Sequence, residues 1–277
     1  AALYRAMGNA RISMVTSLIM NSLNIVGNAI LIYGLGMGVE GAALATVLSQ
    51  AVSAVLCGGY SFLKTPDLTP GAGQWRPRRG DVRRELSIGI PMALQFAITA
   101  SGGMVMQSAV NQFGSLAVAA YTAAGKLETL VEQGMIALGQ AMASHAGQNF
   151  GKGDLDRVKK GVRAGMTVTV VYAVLAAVLG TVFLRPAMGL FFAGDISAMM
   201  PWARTYMNIC VVFFIPLGAI FVYRNVMQGC GYGFLPMMGG VVELAARLIV
   251  AVIAMDIHSY WLACACDPAA WVGAGLF

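Results

Sequence analysis

The chain has 277 residues, of which 58% are hydrophobic and 11% charged, with a net charge of +6 and a mean hydropathy of +0.72. A soluble domain carries about 25% charged residues, so water is not the main solvent of this protein. The composition predicts an all-α, polytopic transmembrane bundle, in which 34 glycines permit close helix approach and 18 methionines pack adaptably.

Apolar runs bounded by Gly, Pro and charge give eight segments, at 12–34, 40–63, 86–112, 116–148, 158–190, 200–228, 234–256 and 260 onward. Each offers the roughly 20 apolar residues that a helix needs to cross a hydrocarbon core, except that the last stops at Phe277. The first residues, AALYRAMGNAR, lack an initiator Met and show no cleavable leader, so the chain reads as truncated at both ends. Pro91, Pro216 and Pro236 are expected kinks or helix ends.

Lys and Arg accumulate in cytoplasmic connections, and here they occupy every second one. Arg5 and Arg11 precede the first span; Lys64, Arg76, Arg78, Arg79, Arg83 and Arg84 follow the second; Lys152, Arg157, Lys159, Lys160 and Arg163 follow the fourth; Arg224 ends the sixth. These are 14 of the 18 basic residues. The intervening connections hold Glu40, Asp195, Asp256 and Asp267. The positive charge is thereby assigned to topology, and nucleic acid is not an expected partner. The stretch 64–85, with Pro66, Pro70, Gly71, Gly73 and Pro77, reads as a linker between domains.

Ionisable groups inside a bilayer are costly unless paired or hydrated, and so are candidates for function. Glu243 and Arg247 lie four apart on one face of the 234–256 helix, as either a structural ion pair or a proton or cation site. Glu128 and Glu132, with Lys126 nearby, are placed to share one cavity wall. Two carboxylates this close repel when both are ionised, so one can exchange a proton, while Lys126 can instead neutralise them. Gln95, Thr99, Gln107 and Asn111 draw a polar stripe down the 86–112 span, facing either a water-filled path or neighbouring helices. Asn21, Asn24 and Asn208 are similar.

His145 and His258 have no second ligand at helical spacing, and no metal or cofactor is expected. The five cysteines read as packing residues, and Trp202, Tyr206, Tyr260 and Trp261 as anchors at the outer membrane boundary. The chain has no P-loop, HExxH or GxSxG signature, so neither an ATP-driven pump nor a membrane-embedded hydrolase is indicated.

Tyr4-Arg5 and Tyr223-Arg224 open two similar blocks, with small-residue segments about 38 positions later at Gly41-Ala42-Ala43 and Leu262-Ala263-Cys264. Five strings along the chain, RAMGN (Arg5 to Asn9), GVEGAALATVLSQ (Gly38 to Gln50), SIGIP (Ser87 to Pro91), GQNFGKGD (Gly147 to Asp154) and MQGCGYGFLPMMGGVVELAAR (Met227 to Arg247), together resemble the multidrug and toxic compound extrusion (MATE) family.

That resemblance implies twelve helices in two six-helix lobes, and antiport of sodium ions or protons against small organic cations. On it, residues 1–63 would be the last two helices of the N-terminal lobe, 64–85 the cytoplasmic linker, and 86–277 the C-terminal lobe with its last helix cut short. It further implies a multi-pass protein of the cytoplasmic (inner) membrane, monomeric at full length, with lipid as its surroundings and no enzymatic activity. The 86–112 span has none of the acidic residues that one branch of the family carries there, so the coupling ion stays open between proton and sodium. A lipid-linked saccharide flippase of the same wider superfamily is the alternative transporter; a membrane-embedded enzyme or scaffold is the alternative outside transport.

Overall fold

The computed structural model describes residues 2–65, 71, 73, 76, 78–192 and 196–277, and among them every regular element is helical. Pro66, Pro70 and Pro77 of the expected linker, and Asp195, lie outside the described residues. The chain forms two units, Ala1–Asp81 and Val82–Phe277.

In the first unit, α1 (Ala2–Ala6) leads through Gly8, at φ +83°, into α2 (Ala10–Asn28). Only glycine takes that left-handed turn without strain. α2 runs on through a π-helical stretch, Ala29–Gly34, and returns as α3 (Gly38–Lys64). The helices touch where side chains are smallest: a Cβ on Gly27 would stand 3.1 Å from that of Ala45. Polar bonds cross the same seam, with Asn24 donating to Thr46 at 3.1 Å and the Tyr4 hydroxyl 2.6 Å from Ser61 Oγ.

The second unit holds α4 (Arg79–Asn111, all but its first turn), α5 (Gly114–Gly151), α6 (Leu155–Val182), α7 (Leu184–Phe191), α8 (Met200–Val212), α9 (Phe214–Gly229), α10 (Phe234–Asp256), α11 (Tyr260–Cys264) and α12 (Cys266–Leu276). Three of the expected continuous spans are broken. The interruptions fall at Phe183, Phe213 and Ala265, and each precedes a proline by three residues: Pro186, Pro216 and Pro268. A proline ring collides with the carbonyl four residues back and offers no N–H. The helix therefore ends at that carbonyl and restarts with the proline in its first turn. α8 and α9 meet at a 52° bend by this route. Pro91, by contrast, lies inside an unbroken α4.

Five described helices are long and apolar enough to cross a membrane: Ala10–Gly34, Gly38–Lys64, Arg79–Asn111, Leu155–Val182 and Phe234–Asp256; the α8–α9 pair makes a sixth. α5 has ample length at 38 residues, but Lys126, Glu128 and Glu132 in its first half and Gln133, Gln140, His145 and Asn149 later keep it below that hydropathy. Large apolar side chains such as Ile25, Val55, Val171, Leu175 and Ile249 are more than half exposed along these spans, as a lipid-facing surface requires.

α5 and α9 pack more extensively than any other pair in this unit. The seam consists of Gly139, Ala143 and Gly147 on α5, spaced by four, against Phe221, Asn225 and Gly229 on α9, also spaced by four. A Cβ on Gly147 would meet the Gly229 carbonyl at 2.9 Å, and one on Gly229 would collide with the backbone of Ala143. Small residues at this spacing let backbones approach where hydrophobic exclusion supplies no driving force. Gly229→Ala should therefore destabilise the folded protein by ~1–3 kcal/mol, read as a lowered melting temperature in detergent. Gly189→Ala, which meets nothing within 4 Å, should leave it unchanged or higher.

Candidate functional site

On α5, Glu128 and Glu132 share one helical face, and the structure sets both on the wall of a single cavity of about 320 Å³ in the second unit. α4 supplies Thr99, Gly103 and Gln107 to its lining. Tyr206 of α8, Arg247 of α10, and Asp267 and Trp271 of α12 close it. Lys126, Thr122 and Thr129 line its exposed side. Three carboxylates and two cationic side chains thus face one small volume.

The geometry corrects the expected pairing of Glu243 with Arg247. Each bonds across to another helix instead. Arg224 Nη2 of α9 donates to Glu243 Oε1 at 2.5 Å, and Arg247 Nε donates to Asp267 Oδ1 at 2.7 Å. The spacing of four put Glu243 and Arg247 on one face of α10, but α9 and α12 flank that face and bring nearer partners. Arg224 consequently is not a loop cation: it lies inside α9, 13% exposed. Asp267 is likewise not in an outer connection, because the break at Ala265 puts it in the first turn of α12, where the helix dipole favours a carboxylate.

Arg247 can lie against α4 only because Gly102 has no side chain there; a Cβ on Gly102 would sit 2.5 Å from Arg247 Nη1 and 2.9 Å from Cδ. Glu128 is 7% exposed. Its Oε2 accepts a short hydrogen bond from the Tyr206 hydroxyl, and Tyr206 is steadied by an edge-on contact with Tyr121 at 5.0 Å between centroids. Two buried atoms on this wall have no hydrogen-bond partner among the described residues: Glu128 Oε1 and Arg247 Nη1.

The polar stripe of α4 divides. Thr99 and Gln107 line the cavity, and Gln107 donates to Asn111 at 2.9 Å. Gln95 lies elsewhere, packed on Gly240 and accepting from Gln228 at 3.0 Å, which is the interhelical role. Asn208 is exposed on α8 and is not among the residues lining the cavity, and Asn21 is exposed on α2 in the first unit. Tyr206 is a buried ligand of Glu128 and not a boundary anchor. Trp202 and Tyr260 stack edge-on at 4.7 Å and pack with Phe113, while Trp261 stays 58% exposed. Sequence reasoning gave Asp267 to a connection and Tyr206 to a membrane boundary, and did not single out Trp271; the signal for Asp267 was Pro268, which marks the first turn of a helix.

A profile of the MatE family matches residues 91–253, which include most of α4, all of α5 to α9 and the greater part of α10. The chain belongs to the MatE family. The probable multidrug resistance protein YpnP of Bacillus subtilis is 28% identical over 227 residues, 82% of this chain and 50% of that protein. The multidrug export protein MepA of Staphylococcus saprophyticus is 25% identical over 230 residues, 83% of this chain and 50% of that one. A FAD transporter of Shewanella oneidensis is 23% identical over 260 residues, 92% and 56% respectively. The chain spans about half the length of the curated relatives it matches. Among solved structures, a MOP superfamily transporter from Pyrococcus furiosus superposes with a TM-score of 0.90 at 20% identity, covering 98% of this chain and 62% of that one. The Vibrio cholerae MATE transporter VcmN gives 0.88 at 18% identity, covering 99% and 62%. The chain is thus part of a multi-pass membrane protein of a transporter family.

If Arg247 and Asp267 act as a buried pair, Arg247→Gln alone should cost ~3–5 kcal/mol by stranding the carboxylate, whereas Arg247→Gln with Asp267→Asn should recover most of that loss. Thermal unfolding of the four combinations in detergent gives the coupling directly.

Proposed function

We propose that the full-length protein is an ion-coupled antiporter that exports small organic cations, drugs or toxic metabolites across the cytoplasmic membrane by alternating access. The observation that carries this reading is Glu128 and Glu132 side by side on one cavity wall, with Glu128 Oε1 unpartnered among the described residues. A proton or sodium ion can neutralise such a carboxylate, and a cationic substrate competes for the same charge. Whichever binds favours the orientation of the lobes that suits it, so the two are exchanged. No further cofactor enters this scheme. Tyr206 orients Glu128, and the Arg247–Asp267 and Arg224–Glu243 pairs tie α9, α10 and α12 together around it.

The relatives named for multidrug export support drugs as the substrate class. A division at residues 64–85 into the end of one lobe and a second lobe at 86–277 fits this scheme, with the linker in the cytoplasm and the protein acting as a monomer. A flippase for lipid-linked saccharides would suit a larger, basic cavity better than one with three carboxylates.

Glu132 is the better coupling candidate than Glu243, which is held by Arg224 and stands outside the cavity. Ethidium efflux from cells expressing the full-length parent, with proton and sodium gradients collapsed separately, tests the reading. Efflux should depend on one gradient, and Glu132→Gln should reduce it to the level of cells lacking the protein while membrane insertion is preserved. Gradient-independent efflux, or an unaffected variant, would sink the assignment.

A further inference from the structure

The lipid-facing side of α5 and α6 is not smooth. On α6 an apolar stripe at helical spacing runs from Tyr172 through Ala176 and Gly180 to Phe183, at the break that ends the helix. With Leu127, Leu130 and Val131 of α5 it encloses a groove of about 520 Å³. The rims are open, since Leu130, Leu179 and Phe183 are each more than half exposed. The floor is low because its residues are small: a Cβ on Gly180 would meet only Met207 of α8, at 3.5 Å. At the deep end Tyr172 bridges the two helices, its hydroxyl donating to the Val131 carbonyl at 2.9 Å. From residue 172 to residue 183 a helix rises about 16 Å, half of the ~30 Å hydrocarbon core. The groove therefore has the depth of one leaflet.

Two cations stand at its boundary end. The alternating connections hold 14 of the 18 basic residues; of the other four, Lys126 and Arg247 line the cavity, and the last two are Arg185 and Arg204. Arg185 lies two residues beyond Phe183, and Arg204 one turn before Met207. Both are exposed, and neither forms an ion pair among the described residues. Topology does not account for this pair, whereas a guanidinium is a fork that binds phosphate oxygens.

We propose that the groove is a site for a single phospholipid, with one acyl chain lying between α5 and α6 as far as Tyr172 and the phosphate held by Arg185 and Arg204. An apolar channel one leaflet deep, with positive charge only at its boundary end, matches both halves of that molecule. The site is independent of what the cavity binds. Leu127 and Val131 each precede a cavity carboxylate by one residue, so the lipid also steadies the stretch of α5 that carries Glu128 and Glu132.

The test is native mass spectrometry of the purified full-length parent in detergent, titrated with dioleoylphosphatidylglycerol and separately with dioleoylglycerol, which has the same chains and no phosphate. The first phosphatidylglycerol should bind about tenfold tighter or better than the first diacylglycerol, the worth of one charge-assisted hydrogen bond. Arg185→Gln combined with Arg204→Gln should collapse that ratio towards one. Gly180→Leu, which fills the floor, should remove the first site for both lipids, while Val171→Leu, on the exposed side of α6 outside the groove, should change neither. The arginine variant alters exposed side chains alone, so it decides the matter even where Gly180→Leu lowers the yield of folded protein. Equal affinity for the two lipids, or a preference that survives the arginine variant, would overturn the proposal and leave only ordinary boundary lipid. Absence of any first site, as when a second copy or another part of the parent fills the groove, would overturn it as well.

Discussion

The close approach of α5 to α9 is the constraint on which the rest of the second unit depends. Lipid offers no hydrophobic reward for pressing two helices together, so contact must come from backbones that fit. Gly139, Ala143 and Gly147 provide that fit against Gly229 and Asn225. Glu132 lies seven residues before Gly139 and Glu128 eleven, which at 3.6 residues per turn puts both carboxylates on the glycine face. One face of α5 thus has two uses. Where α9 lies against it the side chains vanish, and where the 52° bend at Phe213 turns the chain away into α8, carboxylates occupy the space and Tyr206 meets Glu128.

Much of this was legible in residue spacing, and the failures have a common cause. Periodicity states which residues share a face of one helix, so it placed Glu128 and Glu132 together correctly. It is silent about which neighbouring helix covers that face. Glu243 and Arg247 do share a side of α10, but their partners come from α9 and α12. Gln95 and Gln107 belong to one stripe and yet serve different neighbours. Hydropathy averaged over a span also hides interruptions. It joined α6 to α7, α8 to α9, and α11 to α12, and so hid that Asp267 opens a helix. Proline position held the missing information, since Pro186, Pro216 and Pro268 each stand three residues after a break.

The two units also repeat a local device. Tyr4-Arg5 and Tyr223-Arg224 each precede a tight turn, and the turns rest on Gly8 at φ +83° and Gly231 at φ +91°. Each turn delivers the chain into a long apolar helix, α2 or α10. The arginines differ in what they do: Arg5 donates to Ser13 at 2.9 Å, while Arg224 meets a carboxylate. A shared backbone turn with divergent side-chain partners is what a weak sequence repeat looks like when only the scaffold is common to both copies.

The proline-led breaks give the cavity walls unequal stiffness. Thr99, Glu128, Glu132 and Arg247 stand on α4, α5 and α10, each continuous past the cavity. Tyr206 and Asp267 stand on α8 and α12, beside the interruptions at Phe213 and Ala265. Bending a continuous helix strains its ladder of backbone hydrogen bonds, whereas rotation at an existing break needs only a change in a few dihedral angles. The segmented side of the cavity is therefore the more easily displaced. Tyr206 and Asp267 are the hydrogen-bond partners of Glu128 and Arg247, so rotation at either break acts first on those two bonds.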